Sequence, residues 1–197
     1  MISQIGSLAL NIASGLVLST FFFLFYYRFT KNKIFIDLSE RAIIATCLSI
    51  ILSTICLLNE LLISNFNLQY VVQYTSYETP MFFKVTSLWA GQAGSLLFWS
   101  FIMSIYSLIY ILSTLKRIKE LKYPSYLILA FIFGFFLVLS NFIANPFEPV
   151  SLDIIVQNGN GLNPLLQNVT MAIHPPILYL GFVGTSIIFV MTLSALI

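Results

Sequence analysis

Five long apolar stretches, separated by polar segments, dominate the pattern of this chain. They cover residues 5–27, 42–62, 95–115, 125–144 and 175–196. Each has the roughly 20 residues that a helix needs to cross about 30 Å of hydrocarbon. The backbone of a lipid-embedded segment must satisfy its own hydrogen bonds, and none of these stretches alternates as a barrel strand does. The pattern predicts an all-α fold, a polytopic bundle of about five transmembrane helices.

The composition supports a membrane location for the whole chain. Of the 197 residues, 59% are hydrophobic and 8% are charged, with a mean hydropathy of +0.96. A soluble domain carries roughly 25% charged residues. The first apolar stretch has no basic segment before it, so we interpret it as a retained helix and not as a cleaved signal. We therefore predict an integral membrane protein with a single membrane domain over residues 1–197.

The basic residues predict the orientation of the bundle. They concentrate in the two short segments that follow the first and third apolar stretches, and the positive-inside rule places both segments on the cytoplasmic side or its organellar equivalent. The N-terminus and the two long loops, residues 63–94 and 145–173, are then outside. The basic residues on the inner side are Arg28, Lys31, Lys33, Arg41, Lys116, Arg117, Lys119 and Lys122, and Lys84 is on the outer side.

Two kinds of chemistry find little support in the sequence. The basic residues form no stripe outside the short loops, so we expect no nucleic-acid partner. Cys47 and Cys56 share one helix at about 13 Å along its axis, too far apart for a disulfide, and no CxxC or CxxCH motif occurs. Both cysteines are interpreted as small packing residues.

The single histidine, His174, is the strongest candidate for chemistry. It follows a polar, glycine-containing loop and directly precedes Pro175 and Pro176, which suit the first turn of a helix. The sequence thus places the imidazole near an N-cap at the outer interface, where the helix dipole favours the neutral form. One histidine cannot form a zinc site, but it can serve as the axial ligand of a haem. Position alone leaves a structural role equally open.

Three further features have structural interpretations at this stage. Residues 84–99 contain Gly91 and Gly94, which allow close backbone approach, flanked by the two tryptophans and followed by Ser95 as a candidate helix cap. Without further information, a packing turn with interfacial tryptophans is the favoured interpretation. Residues 145–148 and 159–167 have the composition of turns. Glu60 is expected to snorkel to the interface, and no acidic partner supports a proton relay.

Several of these stretches together resemble the N-terminal part of the CcmF family. Its members, which include the NrfE-type proteins, are the cytochrome c haem lyases of the system I maturation pathway. The resemblance rests on residues 88–99 (LWAGQAGSLLFW), residues 145–147 (NPF), residues 161–167 (GLNPLLQ) and residues 174–184 (HPPILYLGFVG). It covers nearly the whole chain, and the last two motifs are the most specific.

The resemblance implies a haem site on the outer face. Members of this family receive haem from the carrier CcmE and join its vinyl groups to the two cysteines of a CxxCH motif in apocytochrome c. The family's HPP histidine, matched by His174, is viewed as an axial ligand of the haem iron. We expect Trp89, Pro175, Pro176 and Tyr179 to contribute to haem binding beside it, and we assign no catalytic residue.

The sequence departs from the family pattern in ways that predict a partner. The tryptophan-rich WWD segment, the second outer histidine and the histidines for a permanent b-type haem do not occur in these 197 residues. Ala93 stands where the family often has an acidic residue. We therefore expect this chain to be part of a haem lyase, incomplete alone, the N-terminal portion of a larger or split enzyme that works with a WWD-containing partner chain.

The expected location is the bacterial or mitochondrial inner membrane, with His174 on the periplasmic or intermembrane side. The alternative function is a non-catalytic membrane subunit of a respiratory complex, in which His174 is only a packing residue. A transporter half is a third interpretation. Transporters usually interrupt paired helices near the midplane, whereas Gly134 is the one such residue well inside the fourth apolar stretch.

Overall fold

A computed structural model describes residues 1–151 and 156–197 of the chain and confirms a helical membrane bundle. Five helices in these residues are long and apolar enough to cross a membrane. Shorter helices lie in the first long loop. The helices are α1 (Ile2–Thr30), α2 (Lys33–Leu62), α3 (Gln69–Tyr74), α4 (Met81–Thr86), α5 (Gln92–Tyr110), α6 (Lys122–Val138) and α7 (Val169–Leu196).

The predicted helix boundaries are too short at several ends. The second helix begins at Lys33 and not at residue 42, because Asn32 caps it by accepting a hydrogen bond from the Ile34 N–H at 3.0 Å. The third and fifth membrane helices also begin earlier, at Gln92 and Val169. At their C-terminal ends, α5 and α6 continue into π-helical turns, Ile111–Leu115 and Leu139–Ile143. The helices extend beyond the apolar stretches because polar residues near a helix end lower the local hydropathy without ending the helix.

The five long helices alternate in direction, so their connections gather at two ends of the bundle. At the end that we call the basic end, the junction of α1 and α2 lies beside the junction of α5 and α6. There the Tyr27 and Tyr123 rings are 5.6 Å apart, and Lys122 forms an ion pair with Glu40. At the opposite end, which we call the loop end, both long loops and the start of α7 come together.

The two long loops are joined to each other by backbone hydrogen bonds. The Gln69 N–H donates to the Glu148 carbonyl at 2.9 Å, and the Val150 N–H donates to the Asn67 carbonyl at 2.9 Å. Further along, the two loops are joined by a side-chain hydrogen bond, in which the Asn158 amide donates to the Glu78 carboxylate at 2.9 Å. This hydrogen bond lowers the pKa of Glu78. The loops thus form one layer over the loop end.

The first loop also carries short helices that the sequence pattern did not reveal. α3 and α4 have six residues each, which is too short for a recognisable period of 3.6 residues. α3 places the Tyr70 hydroxyl against Gly91 and Gly94 at the start of α5. Residues 152–155 of the second loop lie outside the described part of the chain.

Candidate functional site

The tryptophan turn, residues 87–94, is built around the buried hydroxyl of Tyr70. This hydroxyl donates to the Ser87 carbonyl at 2.9 Å and accepts from the Gly91 N–H at 3.2 Å. Burial raises the pKa of Tyr70. A Cβ atom added at Gly94 would lie 2.1 Å from the Leu88 carbonyl oxygen. The glycines of this motif are therefore required by close backbone approach, as the sequence indicates.

Ser95 does not cap the helix. α5 begins at Gln92 with Gly91 at the N-cap position, and the Ser95 hydroxyl donates to the Trp89 carbonyl at 3.0 Å. The serine therefore holds the tryptophan turn against the first turn of α5. This contact fixes the backbone of Trp89 at the loop end.

An aromatic cluster connects the tryptophan turn to α7. The Trp89 ring lies 5.2 Å from the Phe98 ring, and the Phe98 and Trp99 rings lie 5.7 Å and 5.6 Å from the ring of Tyr179. Such separations are typical of favourable aromatic pairs. The structure thus places Trp89 and Tyr179, two of the predicted site residues, in one cluster. Phe98 and Phe136, which stacks on Trp99 at 5.5 Å, were not singled out from the sequence.

The second loop folds back on the first at Gly161. Gly161 has φ of +76°, a conformation that favours glycine, and its N–H donates to the Thr75 carbonyl at 3.1 Å. Asn163 accepts from the Leu165 N–H at 2.9 Å and begins a short 3₁₀ turn. Leu162 is buried between the loops. The GLNPLLQ motif is therefore a compact structure that leads directly into α7.

The structure places His174 differently from the sequence-based expectation. Asn168 caps α7 by accepting from the Thr170 N–H at 2.9 Å, so His174 is the sixth helical residue and is not near the N-cap. The predicted position near the N-cap was therefore wrong, and because the helix dipole acts mainly over the first turn, it has little influence on His174. Pro175 and Pro176 lie inside the helix, where each leaves one carbonyl of the preceding turn without its helical donor.

The His174 side chain is exposed, and no hydrogen bond to its imidazole is found within residues 1–151 and 156–197. It lies on an apolar face of α7, where the neighbouring Ile173 and Ile177 are 49% and 60% exposed. Both ring nitrogens are open to an incoming ligand. An exposed imidazole with an apolar surface beside it has the chemistry that a porphyrin and its iron require.

A small crevice gathers the three motifs. It has a volume of about 60 Å³ and is lined by Trp89 of the first loop, Leu162 and Leu166 of the second loop, and Ala172 and Pro175 of α7. Pockets for organic ligands usually measure 300–1,000 Å³, so this crevice is too small to enclose a porphyrin. Trp89 and Pro175 therefore face the same crevice, whereas His174 is not among its lining residues. Pro176 is half-buried beside it.

Within the described residues, no group of three His, Cys, Asp or Glu side chains could hold a metal ion. His174 is the only imidazole of the chain, and the two cysteines are buried elsewhere. From the described residues of this end, a metal ion would therefore receive few ligands, and the others would have to come from elsewhere. Haem iron meets this condition because the porphyrin supplies four of them.

Two ionisable residues at the loop end, Glu60 and Lys84, are buried, which the sequence did not predict. Glu60 is 1% exposed and accepts from the Asn65 amide at 2.6 Å, so the prediction that it snorkels to the interface was wrong. The Lys84 ammonium is buried as well and donates to the Ser64 hydroxyl at 2.5 Å. Ser64 has φ of +54°, and these contacts fix the sharp turn that follows α2. Their burial depends on long-range contacts that no local pattern reports.

The fold is that of a polytopic helical membrane protein whose three motifs meet at one end of the bundle. The sequence profile of the family described as "Cytochrome C assembly protein" matches residues 89–197, which include the tryptophan turn, the second loop and α7. This match covers more than half of the chain, and the chain belongs to the cytochrome c assembly protein family.

Individual relatives agree with this assignment. The chain is 36% identical to the cytochrome c-type biogenesis protein NrfE of Haemophilus influenzae over 86% of its own length and 26% of that protein. It is 26% identical to the CcmF protein of the same organism over 100% of its length and 30% of that relative. A solved structure named "Cytochrome c Heme Lyase CcmF" shares the fold, with a TM-score of 0.82 at 23% identity, and covers 99% of this chain and 30% of its own. The chain thus spans less than a third of each of these proteins.

Proposed function

We propose that this chain is the part of a cytochrome c haem lyase that receives haem at the loop end, with His174 as an axial ligand of the iron. The single observation that carries the proposal is the exposed imidazole of His174 on the open side of α7, next in sequence to Pro175, which lines the crevice where all three family motifs meet. Haem is the substrate here, and its two vinyl groups would each form a thioether with a cysteine of apocytochrome c. The respiratory-complex alternative finds no support in the relatives described above.

The environment of His174 supports a surface site and not an enclosed one. The nearby crevice of about 60 Å³ is too small for a porphyrin, while Ile173 and Ile177 leave an apolar face open on the outside of α7. A porphyrin lying on this face would keep an uncovered side. We infer that another polypeptide segment covers that side, and the WWD-containing partner predicted from the sequence is our candidate.

The other predicted site residues position α7 and thereby the His174 imidazole. Trp89 and Tyr179 belong to the aromatic cluster that fixes α7 against α5, and Pro175 lines the crevice between the loops and α7. Their contribution is to hold the imidazole in one orientation while haem and apocytochrome c approach, since orientation can supply much of the acceleration of a two-component reaction. CcmE would deliver the haem to this face.

The first test replaces the imidazole in the assembled lyase. We expect His174→Ala to lower the co-purified haem at least tenfold and to stop the formation of holocytochrome c, because the iron loses its protein ligand. Added free imidazole should restore part of the haem binding and the absorption spectrum of imidazole-ligated iron. Haem content and spectra of the purified complex, with haem staining of the cytochrome, measure both effects.

The matched control is Thr185→Ala, a substitution at an exposed position on the same helix, three turns further along. It should leave haem content and maturation unchanged. If His174→Ala matures cytochrome c as well as this control does, His174 has no part in the reaction and the proposal fails.

A further inference from the structure

The exposed side of α1 carries a regular series of residues. The buried side of this helix packs against α2 and α6. On the other side, exposed residues recur at alternating intervals of four and three, the heptad spacing at which two parallel helices stay in contact along their length. This series, which we call the α1 seam, comprises Gln4, Leu8, Asn11, Gly15, Leu18, Phe22, Phe25 and Phe29. Any lipid-facing helix has an exposed side, but two members of this seam are unsuited to lipid.

The first of them, Asn11, exposes an amide inside the hydrocarbon layer. The Phe147 ring of the second loop reaches Gly6, so the layer of loops meets α1 at that residue. Asn11 lies deeper in the membrane by about 7.5 Å, given a rise of ~1.5 Å per residue. Its side chain is exposed and forms no hydrogen bond within residues 1–151 and 156–197. Because an amide in lipid without a partner is unfavourable, Asn11 calls for a hydrogen-bonding group from another molecule.

Other polar side chains at this level are satisfied within the chain. The Asn141 amide, in the π-helical turn after α6, donates to the Ser14 hydroxyl at 3.0 Å and to the Leu137 carbonyl at 2.9 Å. The Ser14 hydroxyl itself donates to the Leu10 carbonyl at 3.3 Å. Asn11 therefore differs from its polar neighbours, whose hydrogen bonds the packing of the chain already supplies.

The second residue, Gly15, follows Asn11 by one turn on the same side of α1. An added Cβ atom there has nothing within 4 Å, so packing inside the chain does not require glycine. At Gly6, on the buried side, an added Cβ atom would instead lie 2.4 Å from the Phe147 ring. Glycine inside a helix costs stability relative to alanine, yet it lets a second helix come close enough for polar side chains to bond across the contact. Gly15 thus indicates a helix contact at the level of Asn11.

An apolar groove beside the seam has room for side chains of a second helix. It measures about 570 Å³, lies between α1 and α6, and has Leu18 of the seam among its lining residues. Its walls also include Phe21 and Phe135. A second α1 that lies on the seam would bring its own Leu18 and Phe22 to the depth of this groove, where they would find apolar contacts.

We propose that a second copy of this chain packs against the α1 seam, in a parallel dimer whose two-fold axis follows the membrane normal. Both copies have the same orientation in the membrane, so the axis places each seam residue opposite its own copy. An amide is both donor and acceptor, and the two Asn11 side chains can therefore bond to each other. The seam contains no charged residue. A helix of another protein would need an amide at the matching depth, whereas a second copy has one by symmetry.

The dimer leaves the proposed haem face open. α7 packs against α5 and α6, whereas the α1 seam belongs to a helix that packs against α2 and α6. Each copy in the dimer therefore keeps His174 and the exposed side of α7 free for haem and a further polypeptide. Dimerisation is independent of haem binding and is measured without haem.

The first test measures self-association of the full chain in phosphatidylcholine vesicles. Energy transfer between copies labelled with donor and acceptor at Tyr77→Cys should fall as added lipid dilutes the protein, which gives the dissociation constant. Asn11→Leu should raise this constant at least fivefold because the hydrogen bonds across the axis are lost, even though the helix becomes more apolar. Asn11→Gln keeps an amide and should retain more of the dimer. Gly15→Ile should also raise the constant at least fivefold, because its side chain separates the two backbones.

Gly181→Ile is the matched control for Gly15→Ile. Gly181 is also an exposed helical glycine at which an added Cβ atom has nothing within 4 Å, but it lies on α7. This variant should dimerise as the wild type does. A fivefold loss in Gly181→Ile would show that the copies meet through α7, and an unchanged dissociation constant in Asn11→Leu and Gly15→Ile would show that they do not meet at the α1 seam. Either result would overturn the proposal.

Cross-linking in the native membrane identifies the occupant of the seam. Leu8→Cys lies in the seam at a 59% exposed position. Ile55→Cys on α2, at a 56% exposed position, is the control at similar depth, because the neighbouring Cys56 lies beside Gly6. Oxidation by copper phenanthroline should join two Leu8→Cys chains into a product of twice the mass of the chain, whereas Ile55→Cys should give no such product. A Leu8→Cys product that contains a different protein, or the absence of a dimer, would overturn the proposal.

Discussion

Single atoms decide the packing of the tryptophan turn. Gly91 and Gly94 face the two tyrosines of α3: an added Cβ atom would lie 2.3 Å from the Tyr74 hydroxyl oxygen at Gly91 and 2.2 Å from the Tyr70 hydroxyl oxygen at Gly94. These contacts leave no room for a methyl group. Glycine is therefore required at both positions for the turn to form. Because this turn holds Trp89 in place, any function of Trp89 depends on the two glycines.

We expect Gly94→Ala to destabilise the protein by about 1–3 kcal/mol, the usual cost of overpacking, because the new methyl group would meet the Leu88 carbonyl. The measurement is the free energy of unfolding in mixed micelles. Gly15→Ala is the matched control, since an added Cβ atom at that helical glycine has nothing within 4 Å. A loss of stability no greater than that of the control would contradict the close approach described here.

His174 shows how local context limits inference from one residue type. Its uniqueness and its motif identify it as a candidate, but the Asn168 cap moves it a full turn and a half into α7. At that distance from the N-terminus the helix dipole has little influence on the imidazole. What remains in its favour is exposure beside an apolar surface, and only the folded chain provides that observation.

Among the elements, α1 and α2 are tied to the second long loop by one aromatic side chain. Asn145 turns the chain by accepting from the Phe147 N–H at 2.9 Å, and Phe147 enters the bundle. An added Cβ atom at Gly6 would lie 2.4 Å from the Phe147 ring and 2.9 Å from the Cβ of Cys56. The NPF motif thus packs the Phe147 side chain between α1 and α2 in addition to forming a turn.

Phe147→Ala should therefore cost about 3–5 kcal/mol in the free energy of unfolding, as expected for a buried phenylalanine. Phe142→Ala, five residues earlier and 82% exposed, should change the stability far less. Both variants are compared by unfolding in mixed micelles. Similar losses of unfolding free energy in the two variants would show that the packing of Phe147 between α1 and α2 does not stabilise the protein.

α7 is the least buried of the five long helices. Four of its 28 residues are buried, namely Ala172, Val183, Val190 and Ser194, and they follow the side that faces α5 and α6. Ser194 also accepts a hydrogen bond from Ser125 at 3.0 Å. The opposite side of α7, which carries His174, remains open. This asymmetry is what a helix needs if it is to meet both a substrate and a further polypeptide.

In the molecule as a whole, charge is divided between the two ends. The described residues of the loop end hold one basic and three acidic side chains, against eight basic and three acidic side chains, a net charge of +5, at the basic end. The positive-inside rule therefore predicts that the loop end, with His174, faces the outside. The haem proposal requires the same orientation.

This orientation is tested by labelling with a membrane-impermeant maleimide in bacterial spheroplasts. Tyr77→Cys, at a 64% exposed position of the loop end, should react in intact spheroplasts, whereas Lys116→Cys at the basic end should react only after lysis. The unmodified chain serves as the control because Cys47 and Cys56 are buried. The reverse pattern would place His174 on the cytoplasmic side and exclude the proposed reaction.

The sequence alone was sufficient for the five membrane helices, because a bilayer imposes their length and hydropathy on any chain that crosses it. It was also sufficient to single out His174 and the motifs around it. The family assignment followed from those motifs. The actual helix ends did not follow, because caps such as Asn32 and Asn168 lie in polar segments where hydropathy carries no signal.

Contacts between distant parts of the chain were decided by the tertiary structure. Trp89 and Pro175 are 86 positions apart and line one crevice, Glu60 is buried by the turn that Asn65 closes, and Phe147 reaches the glycine at position 6. Each depends on how the loops fold over the helix ends. Local periodicity specifies which segments enter the membrane, whereas packing between segments specifies which side chains meet, and a single sequence reports the first far more directly than the second.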